Sequence, residues 1–103
     1  MLILPIKRKW FDMIKSGEKK EEYREIKKYY HTRFKKIFGL DYKDKIAEII
    51  FRSGYSKMSP EIKCRCKLRI GKGKEKWGAE PNKEYYILEI LKIVGGEEWW
   101  VIM

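Results

Sequence analysis

The sequence predicts a small α+β domain, a partly closed β-barrel of five or six short, mostly antiparallel strands with one or two helices flanking it near the N-terminus. Three observations predict it. Ile62 to Ile70, IKCRCKLRI, alternates strictly between apolar and basic residues, the period of a strand with one dry face. Tyr85 to Val94, YYILEILKIV, is long and apolar on nearly both faces, as an internal strand is. Near the start, Trp10, Met13 and Ile14 fall at i, i+3 and i+4 with Phe11 beside them, which makes one apolar helix face. An open α+β sheet is the alternative arrangement.

The elements follow in order. Met1 to Ile6 (MLILPI) reads as a short apolar strand, and Lys7 to Ser16 as the amphipathic helix, closed by Gly17. Glu21 to Ile26 reads as a strand centred on Tyr23. Lys27 to Phe38 is basic and aromatic, a short helix ended by Gly39. Ile46 to Arg52 is a strand, and Ser53-Gly54-Tyr55-Ser56 a turn. In Ile62–Ile70, Ile62, Cys64, Cys66, Leu68 and Ile70 point one way, while Lys63, Arg65, Lys67 and Arg69 point the other. Gly71 to Pro81 is a flexible, lysine-rich loop before the long strand, and Glu98 to Met103 a last short strand.

A chain of 103 residues suits one domain, residues 1–103. Its 44% hydrophobic and 15% aromatic content exclude a disordered chain. The net charge of +10 makes a polyanion the natural partner, either nucleic acid or a nucleotide. Cys64 and Cys66 read as reduced core thiols: with the lone His31 they fall short of the four ligands of a structural zinc site, so no metal is expected. No motif implies a cofactor. The N-terminal apolar run is too short for a signal peptide and no stretch approaches a membrane span, so the expected location is the cytoplasm, away from membranes. Nothing in the chain sets the oligomeric state, although the apolar end Trp99 to Met103 is suited to packing on a neighbour or on its own barrel.

Four groups of residues are suited to chemistry. On a strand, Glu22 and Arg24 share a face, Tyr23 takes the other, and Lys19 enters from the preceding turn. A planar guanidinium, a point charge and a carboxylate acceptor in one cleft suit a polar heterocycle or a phosphate. The same spacing also describes a surface salt-bridge cluster of little energetic value. The basic face Lys63, Arg65, Lys67 and Arg69 suits phosphate contacts, or else the charge protection of an edge strand. The loop Gly71-Lys72-Gly73-Lys74 lacks the ending of a phosphate-binding P-loop. Among Trp10, Tyr29, Tyr30, Tyr55 and Trp77, the last two sit in polar glycine-containing loops and are the best candidates to stack a base. No nucleophile motif is present, and His31 reads as a surface side chain without an evident partner.

The opening of the chain resembles the ASCH family of PUA-like domains. The likeness rests on Ile6-Lys7, the helix through Trp10 and Ile14, and Gly17-Glu18-Lys19-Lys20-Glu21-Glu22-Tyr23-Arg24, the last matching a Gly-x-Lys-x-x-Glu-x-Arg motif. Ile50-Phe51-Arg52-Ser53-Gly54-Tyr55 and Trp77-Gly78-Ala79-Glu80-Pro81 are similar to small phage or bacterial members, so the likeness covers most of the chain. The resemblance implies a β-barrel with flanking helices and a cleft for RNA or a nucleotide, lined by Lys7, Lys19, Glu22 and Arg24; Arg52 and Tyr55 are further candidate binding residues. Some members are enzymes, either nucleoside amidohydrolases or ribonucleases. In the amidohydrolases the motif's Lys works with a Thr at the position that Glu22 occupies here, and a carboxylate cannot replace that hydroxyl nucleophile. Arg24 would lower the pKa of Lys19 and Glu22 would raise it, which leans against a free-amine lysine.

The leading expectation is therefore a nucleic-acid-binding module, RNA ahead of DNA, whose cleft holds a base or nucleotide. A small hydrolase using Lys19 and Glu22 as acid and base is the first alternative. A protein-binding accessory domain whose basic face meets an acidic partner is the second.

Overall fold

In a computed structural model, residues 1–39 and 45–96 are described. The elements run β1 (Leu2–Ile6), α1 (Arg8–Ser16), β2 (Glu21–Arg24), α2 (Lys28–Phe38), β3 (Ile46–Ser53), β4 (Glu61–Lys72), a 3-10 turn (Glu75–Trp77) and β5 (Glu84–Gly96). β2 is two residues shorter than its sequence suggests, and β4 and β5 are longer. The expected strand at Glu98–Met103 lies outside the described residues.

The sheet order is β1-β3-β4-β5-β2. β1 runs parallel to β3, a pairing that requires a crossover, here made by α1, β2 and α2. The other three pairings are antiparallel. The result is a curled, mixed five-stranded sheet that forms a half-barrel, with β1 and β2 as its edges among the described residues. The long β4–β5 hairpin is its spine. Its register shifts between Lys63 and Cys64 and again between Arg65 and Cys66, and such bulges bend a strand and increase its twist.

The inner face is the core. Leu4, Ile49, Phe51, Ile62, Cys64, Cys66, Leu68, Tyr86 and Leu88 pack there against Phe11 and Ile14 of α1 and Phe34 and Phe38 of α2. Each large apolar side chain so buried contributes about 1.5–3 kcal/mol. Ile70, expected on this dry face, is 45% exposed, two residues before the end of β4. Cys64 and Cys66 are both free and buried, and burial pushes the Cys64 thiol pKa up to about 12 and raises that of Cys66. The charged β4 face is not edge protection, since β4 is the middle strand of the sheet.

On the outer face, a second cluster of Ala79, Tyr85 and Ile87 with Tyr23 lies beneath the β4–β5 loop. Expected to be flexible, that loop is pinned: the Lys74 backbone N–H donates to Tyr23 Oη at 2.9 Å, and a Cβ on Gly73 would sit 2.6 Å from the Tyr23 ring. Glycine is required there by close approach. No helix among the described residues is long and apolar enough to cross a membrane.

Candidate functional site at the open seam

The site is built by the shortest strand. α1 ends at Gly17, whose left-handed backbone (φ 87°) reverses the chain and returns its N–H to the Ile14 carbonyl. The Lys19 N–H then bonds the Met13 carbonyl at 2.9 Å, which delivers Lys19 to the start of β2. Along β2, Glu22 and Arg24 lie opposite Leu88 and Tyr86 and so share the inner face. Glu21 and Tyr23 take the outer one.

Lys19, Glu22 and Arg24 come together as the spacing suggests. Glu22 is clamped between the two cations: its Oε1 lies 3.2 Å from Lys19 Nζ and its Oε2 2.8 Å from Arg24 Nη2. Lys19 is only 1% exposed. Its Nζ donates to the Trp77 carbonyl at 2.7 Å and sits about 5 Å from the ring centres of Trp10 and Tyr23. Burial lowers its pKa, against the opposing pull of Glu22, and the positive charge of Arg24 adds slightly to the lowering. Weighing only the neighbouring charges, as the sequence reading does, misses this direction because desolvation outweighs them.

Arg24 spans the seam. Its Nη2 donates to the Pro5 carbonyl on the opposite edge strand at 2.9 Å, and its Nη1 to Tyr30 Oη of α2 at 3.3 Å. Its Nε is buried and has no acceptor among the described residues. β1, which carries Pro5, is an edge strand among the described residues, and its Pro5 carbonyl accepts from the guanidinium.

A pocket of about 430 Å³ opens beside this bridge. Pro5 and Ile6 line it from β1, Lys7, Arg8 and Trp10 from the start of α1, Glu22 and Arg24 from β2, and Ser53, Gly54 and Tyr55 from the end of β3. Tyr55 is 90% exposed at its edge. The first turn of α1 contains no acidic residue and its N-cap, Lys7, makes no side-chain cap, so the backbone N–H groups and the positive end of the helix are left for another acceptor. Lys19, Glu22 and Arg24 together carry one surplus positive charge.

Of the residues singled out from sequence, Lys7, Glu22, Arg24 and Tyr55 line the pocket, while Lys19 lies behind Glu22 and does not. Arg52 is drawn to the outer face, where its Nε donates to Glu61 at 2.6 Å. Trp77 is no stacking platform, because it is 7% exposed, and it contributes its backbone carbonyl to Lys19 instead. The face of Lys63, Arg65, Lys67 and Arg69 lies outward but is partly neutralised. Arg65 pairs with Glu48 at 3.5 Å, and Arg69 pairs with Glu21 and with Glu89. Its acids come from β2, β3 and β5, so the sequence of β4 could not reveal them. His31 does have a partner: its Nδ1 lies 3.1 Å from Tyr86 Oη. Sequence reasoning missed Pro5, whose contribution is a carbonyl, and Arg8, which stood beside Lys7 in plain view. Among the described residues no group of three or more His, Cys, Asp or Glu side chains is placed to hold a metal.

No family model matches the chain, and no curated protein or solved structure is significantly similar to it.

Proposed function

We propose that this chain is a nucleic-acid-binding module, RNA in preference to DNA, and that the seam pocket holds one base or nucleotide. The observation that carries the reading is the pocket itself: it joins a guanidinium held in place by three oxygen acceptors to the uncapped N-terminus of α1, with an exposed tyrosine at its edge. A helix N-terminus with Lys7 beside it suits a phosphate, the fixed fork of Arg24 suits a phosphate or a base carbonyl, and Tyr55 suits the flat face of a base. The volume lies in the range of small-ligand pockets. The reading agrees with the ASCH resemblance, in which the same motif borders an RNA or nucleotide cleft, and a cytoplasmic setting belongs to it.

Binding is favoured over hydrolysis by the position of Lys19. A general acid or base must reach the substrate, and Lys19 Nζ is buried with both the Trp77 carbonyl and Glu22 as partners. Its lowered pKa follows from that burial, and its geometric role is to hold Glu22.

Fluorescence-anisotropy titration of a short labelled single-stranded RNA tests the proposal, with wild type, Arg24→Gln and Tyr55→Ala at low and physiological salt. Binding that persists at physiological salt, and that Tyr55→Ala weakens by about 1–3 kcal/mol, roughly 5- to 150-fold, supports it. Tyr55→Ala is the cleaner probe, because an exposed side chain can be removed with little effect on folding. Binding that vanishes with salt and ignores both substitutions overturns the pocket assignment and leaves only counterion release from a basic surface.

A further inference from the structure

We infer that the phosphate backbone of the bound nucleic acid runs along the outer face of α2, and not along the basic strand β4. The inference rests on the nucleic-acid reading and adds the path of the strand outside the pocket.

The charge accounting separates the two surfaces. On the outer face around β4, Glu48, Glu21 and Glu89 supply counter-charges to Arg65 and Arg69, and Lys67 lies directly opposite Glu89 in the β4–β5 register. Residues 27–39 hold five Lys and Arg and no Asp or Glu, against a net charge of +10 for the whole chain. Lys27, Lys28, Arg33, Lys35 and Lys36 are all exposed, and none forms an ion pair with a described residue. Helix α2 is thus a dense run of exposed positive charge with no acid within it and no ion-pair partner among the described residues.

This arrangement works against the helix. The first turn of α2 carries Lys28 and no acid, and its N-cap, Lys27, makes no side-chain cap. Cations at that end oppose the helix dipole. Local rules are broken most often at functional sites, and a bound phosphate would reverse the sign of this interaction.

The helix also adjoins the pocket. Tyr30, in the first turn of α2, bonds Arg24, and its ring lies under both Arg24 and Lys27, at 5.7 and 5.5 Å. A strand with one base in the seam pocket leaves past Arg24 and Lys27 and meets Lys28 next. Further along, Arg33 is stacked 3.5 Å from the centre of the exposed Tyr29 ring and donates to the Tyr29 carbonyl, which orients its fork. Lys28 and Lys35 lie on one side of the helix about 11 Å apart along its axis, a span of a few nucleotide backbone units.

The test compares salt dependence. A short labelled single-stranded RNA is titrated over a series of salt concentrations with wild type, with the triple variant Arg33→Gln/Lys35→Gln/Lys36→Gln and with the double variant Lys63→Gln/Lys67→Gln. Glutamine keeps helix propensity, and circular dichroism checks that each variant folds. Single-stranded nucleic acid gives a slope of about −0.7 in log K against log salt per phosphate neutralised. The expected result is a slope shallower by about 2 for the α2 triple variant, with little change for the β4 double variant. An unchanged slope in the α2 variant, or an equal flattening in the β4 variant, overturns the inference while wild-type RNA binding and its loss in Tyr55→Ala keep the pocket reading intact. Absence of RNA binding by wild type removes the nucleic-acid reading itself. Wild type that instead binds phosphatidylcholine vesicles containing phosphatidylserine, and loses this in the α2 variant, overturns the inference in favour of a membrane surface.

Discussion

Two charge clusters lie on opposite faces of the same four-residue strand and are built from the same side-chain types. On the inner face, one carboxylate, Glu22, is shared by two cations, Lys19 and Arg24. On the outer face, one cation, Arg69, is shared by two carboxylates, Glu21 and Glu89. The inner cluster is nearly dry and carries one surplus positive charge. The outer one is partly wet and carries one surplus negative charge. The comparison shows that ion pairs one residue apart can do different work. The inner cluster holds a guanidinium across the seam of a half-barrel, at the wall of a pocket. The outer one partly neutralises a basic face that the sequence of β4 shows without its partners.

The largest difference is expected when each cluster loses its shared residue. Glu22→Gln leaves the buried Lys19 and the half-buried Arg24 without their shared carboxylate and is expected to destabilise the protein by about 3–5 kcal/mol, read from urea denaturation. A loss under about 1 kcal/mol would show that the inner cluster is wet in solution and sink the contrast.

The thiols probe the dryness of the inner face through pH. Cys64 has its pKa raised from 9.0 to about 12, and that of Cys66 is raised too, first by burial and then by the charges of Cys64 and Glu22. The unfolded chain therefore releases these protons first, so their contribution to stability is full below about pH 9 and is lost as pH rises toward the folded values. Lys19 acts in the opposite sense, since a lowered pKa makes its contribution grow as pH rises toward 10.5. Subtracting a Cys64→Ala/Cys66→Ala variant isolates the thiols. The stability difference is expected to fall by up to about 1.4 kcal/mol per pH unit per thiol above pH 9, and a flat difference would mean that both thiols are solvated.

Gly73→Ala tests the loop that covers the outer face. The added Cβ would meet the Tyr23 ring at 2.6 Å and Ala79 at 2.7 Å, so a loss of about 1–3 kcal/mol is expected. Thermal melting at wild-type temperature would show that the loop lifts away without cost.

Arg69→Gln should give the smallest effect. Its partners are partly exposed, so a change within about 1 kcal/mol that shrinks further in high salt is expected. A loss as large as that of Glu22→Gln would erase the distinction between the two faces.

Local pattern carried much of this molecule. The 3.6-residue period of Trp10, Met13 and Ile14 and the two-residue period of Ile62 to Leu68 are set by which residues must leave water, and both elements formed where those periods run. The sharing of a face by Glu22 and Arg24 follows from strand geometry alone. Lys19 was legible as a neighbour of Glu22, but not as a buried one, because its burial depends on Trp10 and the loop that carries Trp77.

What the sequence by itself determined was therefore most of the elements among the described residues, most of their dry faces and the makeup of the Lys19–Glu22–Arg24 cluster, since each depends on residues a few positions apart. Only the tertiary structure decided the rest. The parallel pairing of β1 with β3 places Pro5 opposite Arg24 and opens the pocket. The lateral neighbours of β4 supply the acids that neutralise its arginines, while α2 has none on its own sequence and gains none from the described chain. Burial, counter-charge and a backbone carbonyl as acceptor are properties of what lies across space, and no spacing within one segment encodes them.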